Sequence, residues 1–78
     1  MIDFRNYYRD RWMQFTFISG NKYVTVLTVN HEPYEILGAV EQFLGELKKP
    51  FVFLSQTVLE EEGVSFLRDR ELSDVILE

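Results

Sequence analysis

The sequence predicts an α+β fold: an antiparallel sheet of four to five strands with one main helix on one face, in the order ββαββ, and a tail that is a short helix or a strand. Three features of the 78-residue chain carry this expectation. Ser19-Gly20-Asn21-Lys22 joins two alternating apolar runs, a helical stripe follows between Pro33 and Pro50, and a strand-forming run begins at Phe51.

Residues 1–10 read as a possible arm on a single domain spanning 1–78. Phe4, Tyr8 and Trp12 recur at i, i+4 and i+8, which suits one face of a helical turn or an irregular aromatic arm. Gly20-Asn21 then signals a two-residue primed turn, because both residues tolerate positive φ. Pairing Ser19 with Lys22 sets Ile18 opposite Tyr23, Phe17 opposite Val24, Phe15 opposite Val26, Met13 opposite Thr28 and Trp12 opposite Val29. One face then holds Met13, Phe15, Phe17, Val24 and Val26. The other holds Trp12, Gln14, Thr16, Ile18, Tyr23, Thr25, Leu27 and Val29.

Asn30-His31-Glu32-Pro33 is a helix entry, with a polar cap candidate before a proline whose missing N–H costs nothing in the first turn. The helix is expected from about Pro33 to Lys48. Its apolar stripe is Ile36, Leu37, Val40, Phe43, Leu44 and Leu47, with Glu32 and Glu35 at the positive end, Lys48-Lys49 at the negative end and Pro50 as the stop. Phe51 to Val58 follows as a strand, with Phe51, Phe53 and Ser55 on one face and Val52, Leu54 and Gln56 on the other. Glu60-Glu61-Glu62-Gly63 reads as a solvated turn into a returning strand, Val64 to Leu67. Arg68 to Glu78 is either a short helix bearing Leu72, Val75 and Ile76, or a polar turn leading to a last strand, Asp74 to Glu78.

Hydrophobic residues make up 46% of the chain and aromatics 15%, enough for a folded core and too much for intrinsic disorder. There is no cysteine, so disulfides, cysteine–zinc sites and thiol chemistry are excluded. The N-terminal stretch lacks an apolar signal core and no run approaches a membrane span, so a cytoplasmic protein is expected. Charge is uneven. Residues 1–22 set Arg5, Arg9, Arg11 and Lys22 against Asp3 and Asp10, a net +2, and the remainder carries −7 of the total −5. An acidic body of this kind disfavours nucleic acid and suits a basic protein partner, or simply solubility.

No phosphate loop, metal-binding histidine pair or nucleophile motif is present, so no enzyme and no cofactor are expected. The sole histidine, His31, reads as a capping-region residue rather than an acid–base group. Gly38 and Gly45 share a helical stripe, which suits either close approach of another backbone or tolerated surface glycines.

Two constellations look functional. Arg5, Arg9 and Arg11 interleave with Phe4, Tyr7, Tyr8 and Trp12, a mixture typical of protein interface hot spots; it also suits stacking on single-stranded bases, or plain packing with the Arg heads in water. Glu60, Glu61 and Glu62, with Glu71, Asp74 and Glu78, form an acidic end. Such an end either is a charged turn that guards against aggregation or imitates a phosphate track. A small, acidic, cysteine-free domain resembles, in style only, phage-borne inhibitors of host enzymes and anti-CRISPR inhibitors.

The larger clue is the second sheet face. Trp12, Ile18, Tyr23, Leu27 and Val29, joined by Val52 and Leu54, make it too apolar for water, so the arm, the C-terminal segment, a second copy or another protein should cover it. The expectation is therefore a non-enzymatic protein–protein interaction module, an inhibitor of a host protein or a homodimer. Its contacts would be Arg5, Tyr7, Tyr8, Arg9, Arg11, Trp12, Tyr23, Leu27 and Glu60, Glu61 and Glu62. The alternatives are a nucleic-acid mimic acting through the acidic end, or a single-strand binder acting through the Arg/aromatic N-terminus.

Overall fold

The computed structural model describes residues 8–45 and 50–78. Six elements follow in order: β1 (Trp12–Ser19), β2 (Lys22–Val29), α1 (Pro33–Leu44), β3 (Val52–Leu59), α2 (Glu61–Asp69) and β4 (Val75–Leu77). The fold is α+β, with one sheet in the order β3-β1-β2-β4. The sheet is mixed rather than wholly antiparallel, because β4 runs parallel to β2.

The β1–β2 register is the one the turn dictates, from Ser19↔Lys22 to Trp12↔Val29. Gly20 takes a φ of 63° while Asn21 does not enter the positive region, the pattern of a type II′ turn rather than one with both residues left-handed. Met13, Phe15, Phe17, Val24 and Val26 form the buried layer together with Ile36 and Val40 of α1. Leu37, Leu44, Phe51, Phe53, Val58, Val75 and Leu77 pack around it. Rings meet edge to face within it, Phe17 lying 5.6 Å from Phe51 and 5.9 Å from Phe53.

Helix α1 starts at Pro33 with Glu32 as N-cap and stops at Gly45, whose φ of 88° only glycine adopts without strain. It therefore ends before the expected Lys48; Leu47, Lys48 and Lys49 lie outside the described residues. Phe43, placed on the buried stripe by periodicity, is 40% exposed, and the Lys22 ammonium sits 5.2 Å from its ring centre. No described heavy atom comes within 4 Å of a methyl built on Gly38 or Gly45, so the paired glycines mark no backbone approach.

Strand β3 pairs antiparallel with β1, but Phe17 faces Phe53 while Thr16 faces Ser55, leaving Leu54 as an extra residue. This bulge reverses the phase of the strand beyond it. Gln56 thus stands opposite Phe15 on the core side and Ser55 opposite Thr16 on the other, the reverse of simple alternation.

The expected second hairpin does not form. Glu61 to Asp69 is a helix, because carboxylates in its first turn and Arg68 in its last suit the helix dipole, and Val64 and Leu67 turn inward at helical spacing. It links β3 and β4 at opposite edges of the sheet, so it must cross a face, and its contacts identify which. Arg68 lies over the ring of Trp12 at 5.8 Å, and Gly63 sits against Leu59, the cross-strand neighbour of Trp12. The helix therefore covers the face opposite α1, making three layers where the sequence suggested two. Of the two open readings of the tail, the last strand is realised, as Val75–Leu77.

Candidate functional site

Cover by α2 divides the second sheet face into two halves. At the open end of the hairpin, Leu27 is 0% exposed, Val64 of α2 is buried, and Trp12 is half-buried. Leu27 is therefore a core residue and not a contact anchor; the expectation failed because a helix, unforeseen in the sequence, sits on its face. The C-terminal connection reaches only as far as Thr25. Asp74 and Thr25 bond reciprocally there: Thr25 N–H donates to Asp74 Oδ2 at 2.9 Å and Asp74 N–H donates to the Thr25 carbonyl at 3.1 Å. The Thr25 hydroxyl lies 3.3 Å from both Leu72 O and Asp74 Oδ2.

Past Thr25, toward the turn, cover ends. Val52, Ile18 and Tyr23 stand side by side across three strands on this face, and Leu54 projects at the bulge beside them. Val52 is 60% exposed, Tyr23 59% and Leu54 51%. Other exposed rings differ in surroundings. Phe66 carries the Arg70 guanidinium 4.1 Å from its centre and Phe43 carries Lys22, while Tyr34 stands on the outer side of α1 between polar residues.

The Arg-rich constellation is only partly within view. Arg5 and Tyr7 lie outside the described residues. Tyr8, Arg9 and Arg11 are exposed, and Arg11 Nη2 is 3.0 Å from Glu60 Oε1. Arg9 lines a cleft of about 320 Å3 with Asp10, Asn30 and Glu32. Asp10 and Asn30, both left-handed at φ 59° and 55°, clasp each other there: Asp10 N–H donates to Asn30 Oδ1 at 2.6 Å and Asn30 Nδ2 donates to Asp10 Oδ1 at 3.1 Å. Trp12 is occupied by Arg68, which in turn bonds Glu78 at 2.7 Å. These basic groups are thus spent on local pairs rather than gathered into one surface.

The acidic run has structural work as well. Glu60 is the N-cap of α2 and pairs with Arg11, and Glu61 and Glu62 occupy the first turn, where the helix dipole favours them. His31 Nδ1 lies 2.9 Å from the Val29 carbonyl, which can only accept, so the ring proton sits on that nitrogen. That bond ties the start of α1 to the end of β2, and His31 Nε2 lies 3.9 Å from Glu35. Among the described residues, no group of three His, Asp or Glu is placed to hold a metal ion, and no helix is long and apolar enough to cross a membrane.

The row Val52–Ile18–Tyr23 with Leu54 is the feature the arrangement leaves open to a binding companion. Sequence alternation found Tyr23, Val52 and Leu54 for this face; which half of the face they would share was hidden, because that depends on where α2 stops. No protein-family model, curated protein or solved structure matches the chain.

Proposed function

We propose that this chain is a non-enzymatic protein-interaction module that docks through the turn-end half of its second sheet face and the adjoining strand β3. The observation that carries this reading is the exposure of Val52, Tyr23 and Leu54 on a face whose other half is dry. Together these three side chains offer roughly 300 Å2 to water, within the size range of functional patches on small proteins. At about 25 cal/mol per Å2 their burial would contribute on the order of 7 kcal/mol before association costs, comparable with the whole net stability of such a domain. Arg9, Tyr8 and Glu61–Glu62 lie outside this patch and serve, on this reading, as a charged surround that affects partner choice and encounter rate.

Site-specific photo-crosslinking tests it. A photoreactive residue at Val52 should give a covalent protein adduct when the full chain is expressed in its own cellular setting, and the same residue at Tyr34 should not. Equal labelling from both positions, or none from Val52, rejects the docking surface.

A further inference from the structure

The two edges of the sheet are built differently, and the difference identifies what covers the open row. β4 is three residues long and flanked by Asp74 and Glu78, so a second copy laid antiparallel against it would bring carboxylates face to face. Short length and charge are the usual protections of an exposed edge. β3 is eight residues long, VFLSQTVL, with no charge and no proline, and its one protective feature is the Leu54 bulge. From this asymmetry, and resting on the docking surface proposed above, we infer that the occupant is a second copy of this chain, paired antiparallel through β3 across a two-fold axis.

Charge favours that arrangement over the alternatives. The chain carries −5, which opposes self-association in general. In antiparallel β3 pairing, uncharged residues meet uncharged residues along the strand, and the two Glu60–Glu62 runs fall at opposite ends. Eight residues at about 3.3 Å each separate the runs by roughly 26 Å, some three Debye lengths at physiological salt. A parallel pairing would place the runs side by side. Shape points the same way. The Val52 end of one copy comes to lie along the Leu59 end of the other, where the partner's α2 begins, so the helix that leaves one row open closes the row of its neighbour. Counting Val52, Leu54, Tyr23, Ser55 and Thr57 with the strand backbone on both copies, the contact comes to roughly 1,000 Å2, the lower bound for a specific interface.

Light scattering and sedimentation on the full chain, from micromolar to millimolar concentration, test this. The wild type should show a concentration-dependent shift toward twice 9.3 kDa. Val52→Lys and Thr57→Lys, each checked for an unchanged circular dichroism spectrum, should raise the dimer dissociation constant at least tenfold, and Ile76→Lys on the other edge should not. A wild type that stays monomeric at millimolar concentration overturns the inference, as does a dimer that survives both β3 lysines or is split by Ile76→Lys. The docking reading fails separately: photo-adducts from Val52 that join only a different protein leave it standing while removing the second copy.

Discussion

The two faces of the sheet are made from the same two strands yet are finished differently. Under α1, Met13, Phe15, Phe17, Val24 and Val26 are all closed off by a twelve-residue helix and by the flanking Phe51 and Phe53. Under α2, a nine-residue helix closes only the Trp12–Leu27 half and leaves Val52, Ile18 and Tyr23 behind. One face is a core; the other is half core and half surface. The lesson is that apolar alternation on a strand says which side a residue points to, while helix length and placement decide whether that side is dry.

The comparison can be broken at its strongest point first. Phe17→Ala, deep in the α1 face, should cost about 3–5 kcal/mol in urea unfolding, enough to threaten the fold of a domain this small. Leu27→Ala probes the second core and should cost about 2–4 kcal/mol; a loss below 1 kcal/mol would mean that α2 does not seal that half. Asp74→Ala removes the carboxylate that accepts from Thr25 and should cost about 1–2 kcal/mol, read by the same unfolding curve. Glu71 holds the left-handed position after α2 at φ 52°, where the Leu72 N–H bonds Leu67 O and the Glu71 N–H bonds Arg68 O. Glycine is the usual residue there, so Glu71→Gly should raise stability by about 0.5–1 kcal/mol in thermal melts. The smallest effect belongs to the open row: Val52→Thr should change monomer stability by less than about 0.5 kcal/mol, and a larger loss would show that the row is already covered.

What could be read in advance follows the range of the interactions. The hairpin was legible pair by pair, since Gly20 sets its turn and alternation its register. The start of α1 was legible from Pro33 and Glu35, and its end was misjudged because Gly45 terminates the helix before Pro50 is reached. The Leu54 bulge left no local mark: nothing in Phe53-Leu54-Ser55 says that an extra residue will be looped out, and so Gln56 was placed on the wrong face. Glu60 to Gly63 misled because acids and glycine are common to turns and to helix starts; the deciding signal was Val64, Leu67 and Arg68 at helical spacing. The candidate surface inherits that error. Tyr23, Val52 and Leu54 were correctly set on the second face, and Leu27 was set with them because the helix above it had not been recognised.

The join between Thr25 and Asp74 bridges 49 positions of chain, whereas the Gly20 turn closes its strands locally. Loop closure of that span is the slow, entropically costly event in assembling this topology, and hairpin formation is a microsecond one. The early hairpin consequently presents Trp12 and Leu27 to solvent until the last strand seats. Any lengthening of that interval exposes the very side chains that end up driest, which makes the seating of three short residues, Val75 to Leu77, the step that guards the chain against clumping during its own folding.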